Sequence, residues 1–111
     1  MIEKDIIKYL SDNLAVSVQG ELEHDTPDRV VTIQGSAADR VNRIDTTTII
    51  ASVYAESMVS AAELCEDVKE ALFELTDLDS VSSSKLVTSY PAPDTVNKRY
   101  RYQAVFNITH Y

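Results

Sequence analysis

The last fifteen residues of the chain, from 97 to 111, restrict the possible folds more than any other segment. Their side chains alternate strictly between two sets, which is the period-two pattern of a β-strand. Residues 98–111 would span about 46 Å at about 3.3 Å each, whereas a compact domain of this length has a diameter of roughly 34 Å. The strand is therefore expected to bend or bulge, or to project and offer unpaired backbone groups to a neighbour. One face carries Tyr100, Tyr102, Ala104, Phe106, Ile108 and His110.

Two segments have the spacing of amphipathic helices. Residues 2–13 place apolar side chains at positions i, i+4, i+7 and i+8, and the first turn is acidic, which suits the helix dipole. A longer apolar stripe begins at Met58, opposite a strongly acidic side. Ser57 or the residue before it is predicted to start this second helix, and an alternative capping box would pair Ser60 with Glu63.

Four further segments have strand character, because β-branched residues alternate with polar ones. The prediction of the fourth strand, residues 81–90, is weakened by three consecutive serines. Prolines end this strand, because proline cannot donate to a sheet ladder. Residues 35–42, between the second and third predicted strands, are polar and predict an exposed connection. These strands are predicted at residues 14–20, 29–34, 43–55 and 81–90.

The element order is therefore α-β-β-β-α-β-β in a single α+β domain, residues 1–111. Short polar connections between consecutive strands predict antiparallel hairpins, in a mixed, mostly antiparallel sheet of about five strands. Each helix has one apolar stripe, so both helices are expected to pack on one face of the sheet.

The charge and composition narrow the functional classes. The net charge is -8, and no basic stripe is present that would neutralise nucleic-acid phosphates. The chain contains two glycines, too few for a phosphate-binding loop, and its single cysteine excludes an internal disulfide. Neither a signal peptide nor a membrane-spanning run is recognisable, so we expect a cytoplasmic protein that does not contact membranes.

No set of residues has the spacing of a catalytic centre or a metal site, so no enzyme activity and no cofactor are predicted. His24 with Asp25 is either a solvated pair in a loop or half of a metal or acid–base pair. Cys65 lies in the apolar stripe of the second helix among carboxylates, which disfavour a thiolate, so a structural thiol is expected. The acidic helix side is interpreted as a solvated surface, with cation binding as the alternative.

The candidate functional residues are instead those that suit a protein interface. Tyrosine combines a large apolar ring with a polar tip, although tyrosines in the last strand would serve equally well to cover the sheet. Basic side chains are sparse on this acidic chain, and they are either docking points for acidic surfaces or ordinary solvated charges. The predicted interface set is Arg40, Arg43, Lys98, Arg99, Arg101, Tyr100, Tyr102 and Tyr111.

The order of segments is also familiar. An N-terminal IEKDIIKYL helix is followed by HDTPDRVVTIQ, by NRIDTTTIIASVYAESMVSAAEL and by KRYRYQAVFNITHY. Over nearly its full length the chain resembles the tail terminator and head–tail joining (tail completion) proteins of long-tailed phages and prophages. The most specific parts are the junction from Tyr54 to Leu64 and the terminal strand.

The resemblance implies a structural subunit that assembles with itself into a ring, usually a hexamer, even if it is a monomer in dilute solution. Such a ring caps the tail tube and contacts both the tail tube protein and the head connector protein. DNA passes through its lumen without specific binding, and the location is the host cytoplasm during assembly and then the virion neck or tail. The alternative is a soluble adaptor or inhibitor module that binds proteins through an exposed sheet edge.

Overall fold

The computed structural model describes residues 2–14, 16–20, 28–35, 39–41, 44–96 and 98–110. It confirms the α+β class, the two helices and the predicted order of the long elements. One short strand is added inside the segment that was expected to be an exposed connection. In chain order the elements are α1 (Ile2–Asn13), β1 (Ser17–Gln19), β2 (Val30–Gly35), β3 (Asp39–Val41), β4 (Ile44–Ala55), α2 (Met58–Phe73), a 3-10 turn (Glu74–Asp77), β5 (Val81–Pro91) and β6 (Tyr100–His110).

The strands form one sheet in the order β1-β2-β4-β6-β5, and β3 pairs with the beginning of β4. All pairs are antiparallel except β1 with β2, which run parallel with Ser17 opposite Val30. The expectation of a hairpin between these two strands was therefore wrong. A parallel pair requires a connection that returns the chain to the same end of the sheet, and residues 20–29 are more than a tight hairpin would use.

Both helices cover the same face of the sheet and form the core with it. α1 buries Ile2, Ile6 and Leu10, while α2 buries a stripe that runs from Ala61 to Leu72. The sheet contributes side chains of β2, β4 and β6, of which Phe106 is the largest that is fully buried. Burial of a side chain of this size contributes about 1.5–3 kcal/mol to folding.

The N-terminus of α2 is fixed by a local hydrogen bond. The Ser57 hydroxyl oxygen accepts from the backbone N–H of Ser60 at 3.1 Å, so Ser57 is the N-cap, and the alternative start at Ser60 is not used. Caps of this type stabilise a helix by about 1 kcal/mol. α2 therefore begins immediately after β4 and runs back across the sheet.

The last strand is an interior strand, not a projecting edge. β6 pairs with β4 from His110 opposite Asp45 to Tyr100 opposite Ala55, and it pairs with β5 on its other side. A strand of this length fits within the subunit because the molecule is elongated, with extents of 43 × 24 × 23 Å. Among the described strands, the long one at the outer edge of the sheet is β5, which contains two register shifts against β6. The predicted fourth strand is therefore present but irregular.

Candidate interaction surface

The connection between β5 and β6 is a structured turn. Asp94 and Arg99 exchange two backbone hydrogen bonds of 3.0 Å, and the Asp94 carboxylate accepts from the backbone N–H of Val96 at 3.2 Å. Lys98 has a φ of 53°, in the left-handed region that few non-glycine residues adopt. We call residues 92–96 and 98–99 the hairpin tip. Its backbone is held by its own polar groups.

The Arg101 side chain links the tip to the beginning of β6. Its Nε donates to the backbone carbonyl of Ala92 at 2.7 Å, and its Nη1 lies 3.9 Å from Asp94 Oδ2. Asp94 is buried, so a nearby positive charge offsets the cost of removing its carboxylate from water. Arg101 is thus a residue that shapes the tip.

Arg99 fastens the tip to the rest of the sheet. Its Nη2 donates to the backbone carbonyl of Asp28 at 3.0 Å, and its guanidinium carbon lies 4.9 Å from the centroid of the Tyr54 ring. A cation over an aromatic face at this distance is stabilising, and Tyr54 is itself buried beneath it. The two arginines of the predicted interface set that flank Tyr100 therefore both have partners within their own chain.

A second ion pair lies at this end of the sheet. The Arg29 guanidinium binds the Glu56 carboxylate with distances of 2.8 and 3.1 Å. The hydrogen bond from Arg29 is the main reason that the pKa of Glu56 is lowered to about 2. The pKa of Arg29 is raised, chiefly by the same hydrogen bond. Both side chains are about half exposed, so this pair is open to solvent.

The surface that remains accessible at this end is mixed in character. Val96 is 88% exposed, Tyr100 is 51% exposed and Lys98 is also exposed. Tyr102 differs from Tyr100, because it packs partly buried against the core. Sequence reasoning missed Val96, although an apolar residue inside the polar turn Asp94–Lys98 was a visible signal.

Of the other residues in the predicted interface set, Arg40 lies away from the hairpin tip. Arg40 lies in β3, whose pairing places its backbone opposite Asp45 at the far end of β4, and its side chain is outside the described part of the chain. Arg43 and Tyr111 also lie outside the described residues, as does His24. The structure therefore brings Lys98, Arg99, Tyr100 and Arg101 together and separates them from β3.

An open groove of about 550 Å³ lies between α1 and the turn that precedes β5. The Tyr9 hydroxyl at its wall donates to the backbone carbonyl of Glu74 at 3.1 Å. Burial and the nearby Asp77 and Glu74 raise the pKa of Tyr9. The groove is lined by Asp5, Lys8, Tyr9, Asp12, Leu78, Asp79 and Ser80.

The titratable groups of the core are placed for structural roles. His110 is buried, and its Nε2 forms a 2.9 Å hydrogen bond with the Thr47 hydroxyl. Cys65 is buried in α2, and desolvation raises the pKa of its thiol to about 11. Within the described ranges no three His, Cys, Asp or Glu side chains are grouped as metal ligands. No helix in those ranges is long and apolar enough to cross a membrane.

No protein-family model matches the sequence, and a search of curated proteins found no match. The fold, in contrast, is shared with a chain from the virion of a native gene transfer agent particle, with a TM-score of 0.72. The match covers 98% of this chain and 93% of that chain, at 10% sequence identity. The two chains thus have the same fold over almost their full lengths.

Proposed function

We propose that this chain is a structural virion protein and, more specifically, a tail terminator or head–tail joining subunit that caps the tail tube and connects it to the head. The observation that carries the proposal is the fold shared with a chain of a gene transfer agent virion over 98% of this chain. The resemblance of the sequence to the tail terminator and head–tail joining proteins supports it independently.

In this role the chain assembles with itself into a ring, for which a hexamer is the expected size. The ring contacts the tail tube protein on one side and the head connector protein on the other. We propose assembly in the host cytoplasm, followed by residence in the virion neck or tail. The proposed activity is non-enzymatic and requires no cofactor.

The charge distribution suits a ring through which DNA passes without specific binding. From Met58 to Asp77, α2 and the following 3-10 turn contain six acidic residues and one lysine. That lysine, Lys69, is paired with Glu66 at 2.6 Å, so the helix surface stays strongly negative. Negative surfaces repel phosphates, and DNA next to them would move without being held.

The proposal is tested by adding the purified protein to tail tubes that lack a terminator and imaging them by negative-stain electron microscopy. We expect a ring at one end of each tube and an end to further growth of the tube. Light scattering of the protein alone at high concentration measures ring formation separately. A protein that is monomeric and also binds neither tail tubes nor connector would refute the proposal.

Arg40 and Arg43 remain proposed contacts of the ring. Reversal of both charges, Arg40→Glu with Arg43→Glu, is expected to block assembly and to leave the subunit folded. The circular dichroism spectrum reports folding, and complementation of a terminator-deficient phage or prophage reports assembly. Normal virion yield with the double variant would remove these two residues from the interface.

A second candidate function is a soluble adaptor or inhibitor that binds a protein through the free edge of β5. The observation that favours it is the exposure of Leu86 and Val87 on that edge strand. Apolar side chains beside unpaired backbone groups are typical of strands that accept a partner strand. Recovery of a host enzyme in place of virion proteins in a pull-down would favour this function.

A further inference from the structure

The two ends of the β5–β6 hairpin have opposite chemical character. The groove includes Leu78, Asp79 and Ser80, which immediately precede β5, whereas the hairpin tip immediately follows it. The strand between them has 11 residues and spans about 36 Å. The longest dimension of the molecule is 43 Å. Groove and tip therefore lie near opposite ends of one subunit.

The backbone of the hairpin tip is preorganised. Asp94, Arg99 and Arg101 hold its backbone through the hydrogen bonds and the ring contact described above. The side chains of Val96 and Lys98 are exposed. Binding of a preorganised loop loses less conformational freedom than binding of a flexible one, so even a small contact area yields affinity.

The groove between α1 and the turn before β5 is complementary to the hairpin tip in polarity and charge. Tyr9 and Leu78 supply apolar surface, and Asp5, Asp12 and Asp79 supply three carboxylates against the single ammonium of Lys8. Its volume of about 550 Å³ is ample for a valine side chain together with a lysine stem. The tip thus presents an apolar group beside a positive charge, and the groove presents apolar surface beside negative charges.

We infer that the hairpin tip of one copy of this chain inserts into the groove of a second copy. Val96 packs on Tyr9 and Leu78, while the Lys98 ammonium lies among the groove carboxylates. Because the two surfaces are different, the contact is heterologous, and repetition of it gives a closed ring when the rotation between neighbours closes. The role of this contact in a tail ring rests on the proposed function, whereas the contact itself rests on the two surfaces.

Disulfide trapping tests the contact directly. One batch of protein carries Val96→Cys in the tip and another carries Ser80→Cys in the groove; both positions are exposed, so the core is unchanged. The native Cys65 is buried with a pKa of about 11 and does not compete. On mixing under mild oxidation we expect a covalent heterodimer to form faster than either homodimer.

The matched control replaces Ser80→Cys with Val59→Cys, at a position on α2 that is 69% exposed and does not line the groove. Its rate of crosslinking with Val96→Cys measures random collision. A tip–groove rate no higher than this control overturns the inference. Faster crosslinking of Val96→Cys with itself than with Ser80→Cys also overturns it, since that result means a symmetrical tip–tip contact.

Charge reversal supplies a second readout. Lys98→Glu and Asp79→Lys are each expected to slow trapping by up to about fivefold, the upper end of the range for an exposed ion pair. When trapping partners carry both reversals, one on each side of the contact, we expect the rate to recover. A loss that persists in the doubly reversed pair contradicts the assigned contact.

The outcomes separate this inference from the proposed function. Trapping between tip and groove with no binding to tail tubes or connector would retain the self-contact and refute the role in the tail. Tail capping without trapping would retain the function and refute the tip–groove contact.

Discussion

The two halves of β6 are held by different kinds of interaction. Its C-terminal half buries Phe106 and Ile108 beneath the helices, and hydrophobic burial dominates there. Its N-terminal end lies beside the hairpin tip, which is held by the Asp94–Arg101 and Arg99–Tyr54 contacts. One strand therefore joins a region stabilised by packing to a region stabilised by directed polar contacts. The polar contacts fix the conformation of the hairpin tip and leave its surface accessible.

The largest effect is expected where packing dominates. Phe106→Ala removes the largest fully buried side chain and its edge-to-face contact with Phe73, whose ring centroid is 5.2 Å away. The free energy of unfolding should fall by about 3–5 kcal/mol, measured by urea denaturation. Phe106→Leu is the matched control and should cost less, because it leaves a smaller cavity. Equal losses for the two variants would contradict a packing role for the ring.

A smaller effect is expected at the polar end. Asp94→Ala removes an acceptor for the Val96 amide and the carboxylate beside Arg101. We expect a loss of about 1–3 kcal/mol in the free energy of unfolding, and faster hydrogen exchange of the amides in the hairpin tip. Thr95→Ala, at the exposed neighbouring position, is the control. If the two variants are equally stable, the carboxylate does not organise the tip.

The smallest effect is expected at the exposed Arg29–Glu56 pair. The pKa of Glu56 is lowered from 4.5 to about 2, so the pair stabilises the fold above about pH 4.5. This contribution is lost as the pH falls from about 4.5 to about 2, because protonation then removes the carboxylate charge. The difference in melting temperature between the wild type and Glu56→Gln should shrink over that interval. A difference that is constant with pH would show that the pair does not contribute.

The sequence predicted what depends on local pattern. The alternation from Tyr100 to His110 identified β6 and its buried face, and the apolar stripe identified α2. It did not predict the partners of the strands, since Val16 and Val18 would alternate in the same way in a parallel or an antiparallel pair. The parallel pairing of β1 with β2 and the interior position of β6 depend on contacts between residues far apart in sequence.

The contacts at the candidate surface also depend on residues that are far apart in sequence, so the sequence predicts them only in part. The cluster of basic residues at the start of the last strand predicts an interface there, and this stays a prediction. The sequence did not distinguish Arg99 and Arg101, which bind their own chain, from the exposed Lys98. That distinction requires the hairpin, because Arg101 meets the Ala92 carbonyl only when β5 and β6 are paired.

The interior position of β6 also bears on how the protein is made. β6 follows β4 and β5 in chain order, and its ladder with β4 joins residues that are 45 to 65 positions apart. A ribosome therefore delivers β4 and β5 before the strand that must lie between them. Pairings over such sequence distances form slowly, so the apolar surfaces of β4 and β5 stay exposed until β6 pairs with them. We expect the nascent chain to be a client of chaperones until β6 emerges, and a nascent chain stalled before residue 100 to be sensitive to proteases.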